Sequence, residues 1–178
     1  MKYSIHPFAA KNFSHISDRG LRTSAAEDRL VELFFRDEKM GIFVEVGAND
    51  PIRASQTWHL EQLGWSGVLV EPISQLCDCL REQRPRSQVI QAACGPPGHQ
   101  ETACLYVATA LSRSTVTDSF AFVPNKVKRT ETVRMFKLDE ILEQTGITRP
   151  DYVSIDVEGY QYEVLSGFSL SRYQPRLL

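Results

Sequence analysis

Residues 41–50 read GIFVEVGAND, a short apolar run rich in β-branched residues that stops at a glycine. Such a run is typical of a strand buried on both faces, as in a parallel sheet. One acidic residue, Glu45, lies inside the run, and Gly47 and Asn49 follow it in the turn. The stretch therefore predicts the first strand of an α/β sheet.

Helix-like and strand-like segments alternate on both sides of this run. The alternation predicts an α/β fold with a mostly parallel sheet, flanking helices and right-handed crossovers. The segment from residue 102 to 137 has no clear period, apart from a strand that ETACLYVAT at 101–109 could form. The predicted helices cover residues 24–35, 55–63, 73–84, 138–144 and 164–170, and the further strands cover 68–70, 87–94 and 151–156.

The composition is that of an ordinary globular domain, with 42% hydrophobic and 24% charged residues and a net charge of -2. The near-neutral charge argues against nucleic acid as a partner. Because no stretch reaches the ~20 apolar residues of a membrane span and no leader is evident, we expect a cytoplasmic protein without a membrane partner. The four cysteines lack zinc-site spacing and are expected to be reduced.

The length of 178 residues predicts one domain overall. Within it, residues 1–40 form an N-terminal lead and an amphipathic helix, and residues 41–178 form the ligand-binding domain.

Three predicted strands end in acidic residues: Glu45 closes the first, Glu71 the second, and Asp156 with Glu158 a later one. Ligands of parallel α/β sheets bind at the carboxyl ends of the strands. The chain lacks the G-x-G-x-x-G pattern that a dinucleotide pyrophosphate needs, which argues against a nicotinamide-dependent oxidoreductase. S-adenosylmethionine carries a ribose diol and a cationic amino-acid end, and acidic strand ends suit both.

Glu71 follows Glu45 by 26 residues, which places it at the tip of the next strand. A carboxylate there can accept both hydroxyl hydrogens of a ribose. A solvated strand end, or a cap for the helix from Ile73, would explain the same residue. Glu45 needs a partner in any case, because a buried carboxylate without one costs considerable free energy.

Three stretches resemble the FkbM family of S-adenosylmethionine-dependent methyltransferases, and the resemblance runs from about residue 22 to the last residue. Residues 102–135 match the family poorly. The matching stretches are GIFVEVGANDPIRASQTWHLEQLGWSGVLVEP at 41–72, LDEIL at 138–142 and DYVSIDVEGYQYEVLSGFSLSRYQPRLL at 151–178.

The resemblance implies a Rossmann-like class I methyltransferase fold that methylates a hydroxyl of a sugar, polyketide or other secondary metabolite. It further implies that the partner is a small molecule or glycan and that S-adenosylmethionine is the cofactor. Ser55 and Thr57 match an S-x-T pattern of the family, although helix capping explains them equally well. Carried over by position, Glu45, Gly47 and Asn49 line the methionine end, Glu71 the ribose, and Gln91, Ala92 and Ala93 the adenine side.

Asp156 and Glu158 match the family's D-x-E-G pattern and are the predicted catalytic residues, with Asp156 also near the cofactor. A carboxylate that accepts the substrate's hydroxyl proton would assist an aligned displacement. The same pair could instead cap the strand end or bind a divalent metal, although no metal site is predicted.

Residues 174–178 correspond to the entry of a further core strand in the resembling family. We therefore expect that the sheet could lack its C-terminal strands and that copies could associate through the open edge. On that view an alternative function is a non-catalytic S-adenosylmethionine-binding or interaction module.

Overall fold

The computed structural model describes residues 27–36, 38–53, 55–108 and 127–178. The helices in these ranges are α1 (Glu27–Phe34), α2 (Trp58–Leu63), α3 (Ser74–Gln83), α4 (Leu138–Thr145), α5 (Gln161–Ser166) and α6 (Leu170–Tyr173). The strands are β1 (Ile42–Val46), β2 (Ser66–Glu71), β3 (Ser87–Gln91), β4 (Ala93–Cys94), β5 (Thr102–Ala108), β6 (Val127–Phe136) and β7 (Tyr152–Ile155).

The central sheet has the strand order β3-β2-β1-β7, and all its pairs are parallel. Val44 of β1 is in register with Val68 on one side and with Val153 on the other. The chain builds outward from β1 to β3 and later returns to the opposite side, so the order reverses next to β1. This reversal is where an open parallel sheet binds its ligand, and it confirms the predicted Rossmann-like α/β architecture.

Two hydrophobic layers cover the sheet, one on each face. Alternate strand residues enter the two layers, because side chains of a strand point to opposite faces. Phe43 of β1 packs with α1, α2 and α3 through Val31, Leu60 and Leu80. Val44 packs on the other face with α4, α5 and α6, whose contributions are Leu138, Ile141, Val164 and Tyr173. Glu45 therefore points to the same face as Phe43.

The predicted strand 87–94 is wrong as a single element. The chain leaves the central sheet after β3, where the Ala92 N–H donates to the Glu71 carbonyl oxygen at 3.2 Å. It then forms β4, which pairs in parallel with β6. β6 pairs along its length with β5 in an antiparallel hairpin. The strand at 102–108 was anticipated, whereas β6 was not.

The predicted helix 164–170 is also wrong in its bounds. The structure has α5 ending at Ser166 and α6 beginning at Leu170, with Gly167 between them. A Cβ at Gly167 would lie 2.4 Å from the Gly95 carbonyl oxygen, so only glycine permits this close approach.

Glycines end two of the helices. Gly64 follows α2 with φ 110°, and Gly146 follows α4 with φ 71°. Both lie in the left-handed region that glycine adopts without steric cost. The predicted start of the first helix, at residue 24, lies outside the described residues.

The edge of β7 that faces away from β1 carries one parallel bridge, between Tyr152 and Leu177. The Val153 N–H donates to the Leu177 carbonyl oxygen at 3.0 Å. Within the described ranges, no helix is both long and apolar enough to cross a membrane.

Candidate functional site

The carboxyl ends of β1, β2 and β7 meet at the turn that follows β1. The N–H groups of Gly47 and Ala48 donate to the Val70 carbonyl oxygen at 2.9 and 3.2 Å. On the other side, the Asp156 N–H donates to the Val46 carbonyl oxygen at 2.9 Å. The structure thus brings together the acidic strand ends that the sequence singled out.

Gly47 permits this convergence because its backbone has φ 86° and lies against β7. A Cβ at this position would be 2.0 Å from the Asp156 carbonyl oxygen. No side chain could occupy that space, since such a distance is far inside van der Waals contact. The turn after β1 and the segment after β7 are therefore packed backbone to backbone.

Glu45 is buried, with 3% of its surface exposed, and its carboxylate accepts three hydrogen bonds from the next loop. The Gln56 N–H donates to Oε1 at 2.8 Å. The hydroxyls of Ser55 and Thr57 donate to Oε2 at 3.1 and 2.5 Å. Burial raises the pKa of Glu45, and these bonds oppose the rise. The carboxylate fastens the loop to β1, and its predicted contact with the cofactor stays a prediction.

Ser55 also stabilises the turn that precedes α2. Its Oγ accepts hydrogen bonds from the N–H groups of Thr57 at 3.3 Å and Trp58 at 3.1 Å. The helix α2 begins at Trp58, three residues after the predicted start at Ser55. The S-x-T pattern therefore has a complete structural role, and the predicted cofactor contact of Ser55 is not needed to account for it.

Arg84, which follows α3, completes the anchoring of the loop. Its side chain is fully buried and forms an ion pair with Glu61 of α2. Its guanidinium also donates to the Pro51 carbonyl oxygen at 3.2 Å, to Ser55 Oγ at 3.0 Å and to Thr57 Oγ1 at 2.9 Å. Sequence analysis missed this residue. The one available signal was the S-x-T pattern, whose hydroxyl oxygens need donors once they are buried.

Glu61 in turn ties α2 to the start of β3. Its Oε1 accepts the Arg86 N–H at 2.9 Å, and its Oε2 accepts the Ser87 hydroxyl at 2.8 Å. The buried Arg84–Glu61 pair thus has neighbouring donors and acceptors that satisfy its remaining capacity, as a buried ion pair requires.

Glu71 lies at the end of β2 with 3% of its surface exposed. Its Oε2 accepts the Asn49 N–H at 2.9 Å, and its Oε1 accepts the Ile73 N–H at 2.9 Å. Each oxygen keeps acceptor capacity for one more donor. The carboxylate thus holds the turn after β1 in place and bonds the residue that precedes α3. It retains the acceptors that a ribose diol requires.

A second carboxylate, Glu131 of β6, lies close to Glu71. Ser74 Oγ donates to Glu131 Oε2 at 3.4 Å, and Arg129 Nε donates to Glu131 Oε1 at 2.8 Å. Burial raises the pKa of Glu71 to about 7, and the negative charge of Glu131 adds to the rise. The β5–β6 hairpin therefore brings an acidic group to the ribose end of the predicted site. Sequence analysis missed it because β6 itself was missed.

The predicted catalytic pair lies on the segment that follows β7. Asp156 is exposed, and its pKa is raised by partial desolvation of the carboxyl and by the charge of Glu27. Glu158 is exposed, in a turn that continues through Gly159 at φ 79°. Ala92, predicted for the adenine side, is fully buried beside Glu71. In the described part of the chain, no group of three or more histidine, cysteine or acidic side chains could hold a metal ion.

We expect Arg84→Met to lower the free energy of unfolding by about 3–5 kcal/mol, because it leaves the buried Glu61 carboxylate unpaired. Urea unfolding of both proteins measures the difference. The matched control is Arg81→Met on α3, where Arg81 forms an exposed pair with Asp78 at 2.9 Å, and we expect a change within about 0.5 kcal/mol. Equal effects of the two substitutions would contradict the anchoring role.

We expect Glu71 to make stability depend on pH. Its pKa is about 7 in the folded chain and ordinarily 4.5, so between these values the folded state binds more protons than the unfolded state. Stability conferred by the protonated carboxyl is therefore present below about pH 4.5 and lost as the pH rises to about 7. The free energy of unfolding of Glu71→Gln, measured with urea, should therefore rise relative to that of the wild type by of the order of 3 kcal/mol between pH 4.5 and 7. A difference in the free energy of unfolding between variant and wild type that does not change with pH would contradict this prediction. The control is Glu82→Gln, at an exposed position of α3.

Comparison with known proteins identifies a family for this chain. The family model for the methyltransferase FkbM domain matches residues 45–178, which include every residue of the predicted site. Neither the curated proteins nor the solved structures gave a match to this chain. The family match covers most of the chain and agrees with the parallel sheet and its acidic strand ends. The chain belongs to the FkbM family of methyltransferases.

Proposed function

We propose that this methyltransferase uses S-adenosylmethionine to methylate a hydroxyl group of a sugar, polyketide or other secondary metabolite. The observation that carries the proposal is the Glu71 carboxylate, buried at the end of β2 and bonded to the backbone of Asn49 and Ile73. The family supports methyl transfer, and the hydroxyl acceptor is our inference.

The residues present fit the cofactor at its ribose end. Glu71 keeps one acceptor on each oxygen, and a diol offers two donors at matching spacing. A cationic ligand bound nearby would lower the raised pKa of Glu71, because a positive charge favours the ionised carboxylate. Asn49, whose φ is 50°, adopts the left-handed conformation that lets its N–H meet Glu71. Gly47 and Asn49 would lie along the methionine end, and Ala92 beside the adenine.

When bound, S-adenosylmethionine supplies an electrophilic methyl group on a sulfonium centre. The protein's part is to align the acceptor oxygen with the carbon–sulfur bond, and alignment of this kind lowers a barrier by up to ~7–11 kcal/mol. In that alignment a carboxylate of this chain would take up the proton of the acceptor hydroxyl. Asp156 is the proposed acceptor of that proton, because its raised pKa makes it a stronger base than an ordinary aspartate.

The first test is calorimetric titration of the purified chain with S-adenosylmethionine and S-adenosylhomocysteine. We expect binding in the micromolar range, and Glu71→Ala should weaken it about 100-fold, because two hydrogen bonds to a charged group are lost. Glu82→Ala on the exposed side of α3 should bind like the wild type. Glu71→Gln preserves the side-chain shape, so it tests the same contact if the alanine variant does not fold. A folded wild-type chain that binds neither compound would overturn the proposal.

The second test is methyl transfer from radiolabelled S-adenosylmethionine to a panel of hydroxylated acceptors. We expect Asp156→Asn to lower turnover about 10²–10⁴-fold, because the amide cannot take up the proton. Binding of S-adenosylhomocysteine should change little. Glu158→Gln measures the other predicted catalytic residue in the same assay. Unchanged turnover in both variants would remove this pair from the chemistry, and cofactor binding without turnover on the whole panel would favour a binding module.

A further inference from the structure

A cleft of about 650 Å³ lies between α1 and β7, and we refer to it as the α1–β7 cleft. Its apolar walls come from both elements and from the end of the described chain. Apolar walls with a few convergent polar groups are typical of small-molecule sites. The apolar residues include Leu30 and Val31 of α1, Ile155 of β7, Leu165 of α5 and Leu177.

The α1–β7 cleft opens next to the proposed chemistry. Asp156 lines it, and the Asp156 backbone is packed against the turn at Gly47. A molecule in the cleft therefore reaches Asp156 from the α1 side, whereas the ribose end of the cofactor is expected at Glu71. This placement suits the methyl acceptor.

The polar lining of the cleft is acidic. Glu27 of α1 and Asp156 both line it, and they are close enough for the Glu27 charge to act on Asp156. No lysine, arginine or histidine occurs among the described residues that line the cleft. Both residues are exposed, and two like charges that line one cleft without a cation among its lining residues favour a cationic ligand.

Gln56 supplies a second and independent observation. Its side chain lines the cleft and has 7% of its surface exposed. Its Nε2 donates to Glu27 Oε2 at 2.7 Å. Its Oε1 is buried and accepts no hydrogen bond from the described part of the chain. A buried carbonyl oxygen without a donor is costly, so this atom indicates a ligand that brings N–H or O–H groups.

We propose that the α1–β7 cleft binds a protonated amino group of the methyl acceptor, so that the acceptor is an amine-bearing alcohol rather than a neutral polyol. An ammonium group offers three N–H donors and a positive charge. It can therefore donate to Glu27, and a rotation of the Gln56 amide toward the cleft would let Oε1 accept from it as well, while the carbons of the same molecule contact the apolar walls. The assignment of this ligand as the acceptor rests on the proposed function.

The test compares two probes that differ at one end, 6-aminohexan-1-ol and hexane-1,6-diol. Each is titrated calorimetrically at constant ionic strength into the protein saturated with S-adenosylhomocysteine. We expect the amino alcohol to bind at least about tenfold more tightly than the diol, because only the amino alcohol carries the charge. Glu27→Gln should weaken the amino alcohol about tenfold and leave the diol unchanged. Glu32→Gln, the same change at a residue of α1 that does not line the cleft, should alter neither.

Two results would overturn the inference. One is the absence of a charge effect: the protein binds the two probes equally well, or Glu27→Gln leaves the affinity for the amino alcohol unchanged. The other is an amino alcohol that binds only to the cofactor-free protein and is displaced by S-adenosylhomocysteine, because the cleft would then belong to the cofactor's own amino group.

The inference and the proposed function fail in different ways. Methyl transfer to neutral alcohols at rates equal to those for amino alcohols keeps the proposed function and removes the inference. If S-adenosylhomocysteine does not bind, the proposed function fails. The same titrations on the protein alone then decide whether the amine site exists, because Glu27 is no part of the predicted cofactor site.

Discussion

A carboxylate inside a hydrophobic strand must find hydrogen-bond donors, and in this chain Glu45 finds them in the loop that leads from β1 to α2. The hydroxyls of Ser55 and Thr57 turn toward it, and Arg84 covers those hydroxyls from the far side. The Glu45 carboxyl thereby joins β1 to the loop before α2, and Arg84 joins the same loop to the end of α3. The position of the turn after β1 depends on this arrangement.

The loop is held at both ends. Its first residues are fixed by the Val70 carbonyl oxygen and the Glu71 carboxylate, and its last residues by Glu45 and Arg84. These anchored ends have little freedom to move, so the backbone of Gly47 and Asn49, which is expected along the cofactor, is in place before any ligand binds. Preorganisation of this kind reduces the ordering cost of binding.

The central sheet could be predicted because its strands are apolar runs. Glu71 could be placed because it ends the strand that pairs with β1. The strand β6, with the sequence VKRTETVRMF, could not be predicted in this way. Apolar and polar residues alternate only in its second half, where Val133 and Met135 are buried. Arg84 could not be placed either. Its partners Glu61 and Ser55 lie 23 and 29 residues earlier, and only the folded backbone brings them together.

The central strand β1 pairs with β2, which follows it closely, and with β7, whose first residue in register is Tyr152 opposite Phe43. The two neighbours of β1 therefore leave the ribosome far apart in time. While the intervening residues are being made, one edge of the most buried strand has no partner, and final docking must close a very long loop. Such nonlocal pairing slows folding and exposes an unpaired strand edge that is prone to aggregation. The nascent chain has most need of a chaperone in this interval, before β7 emerges.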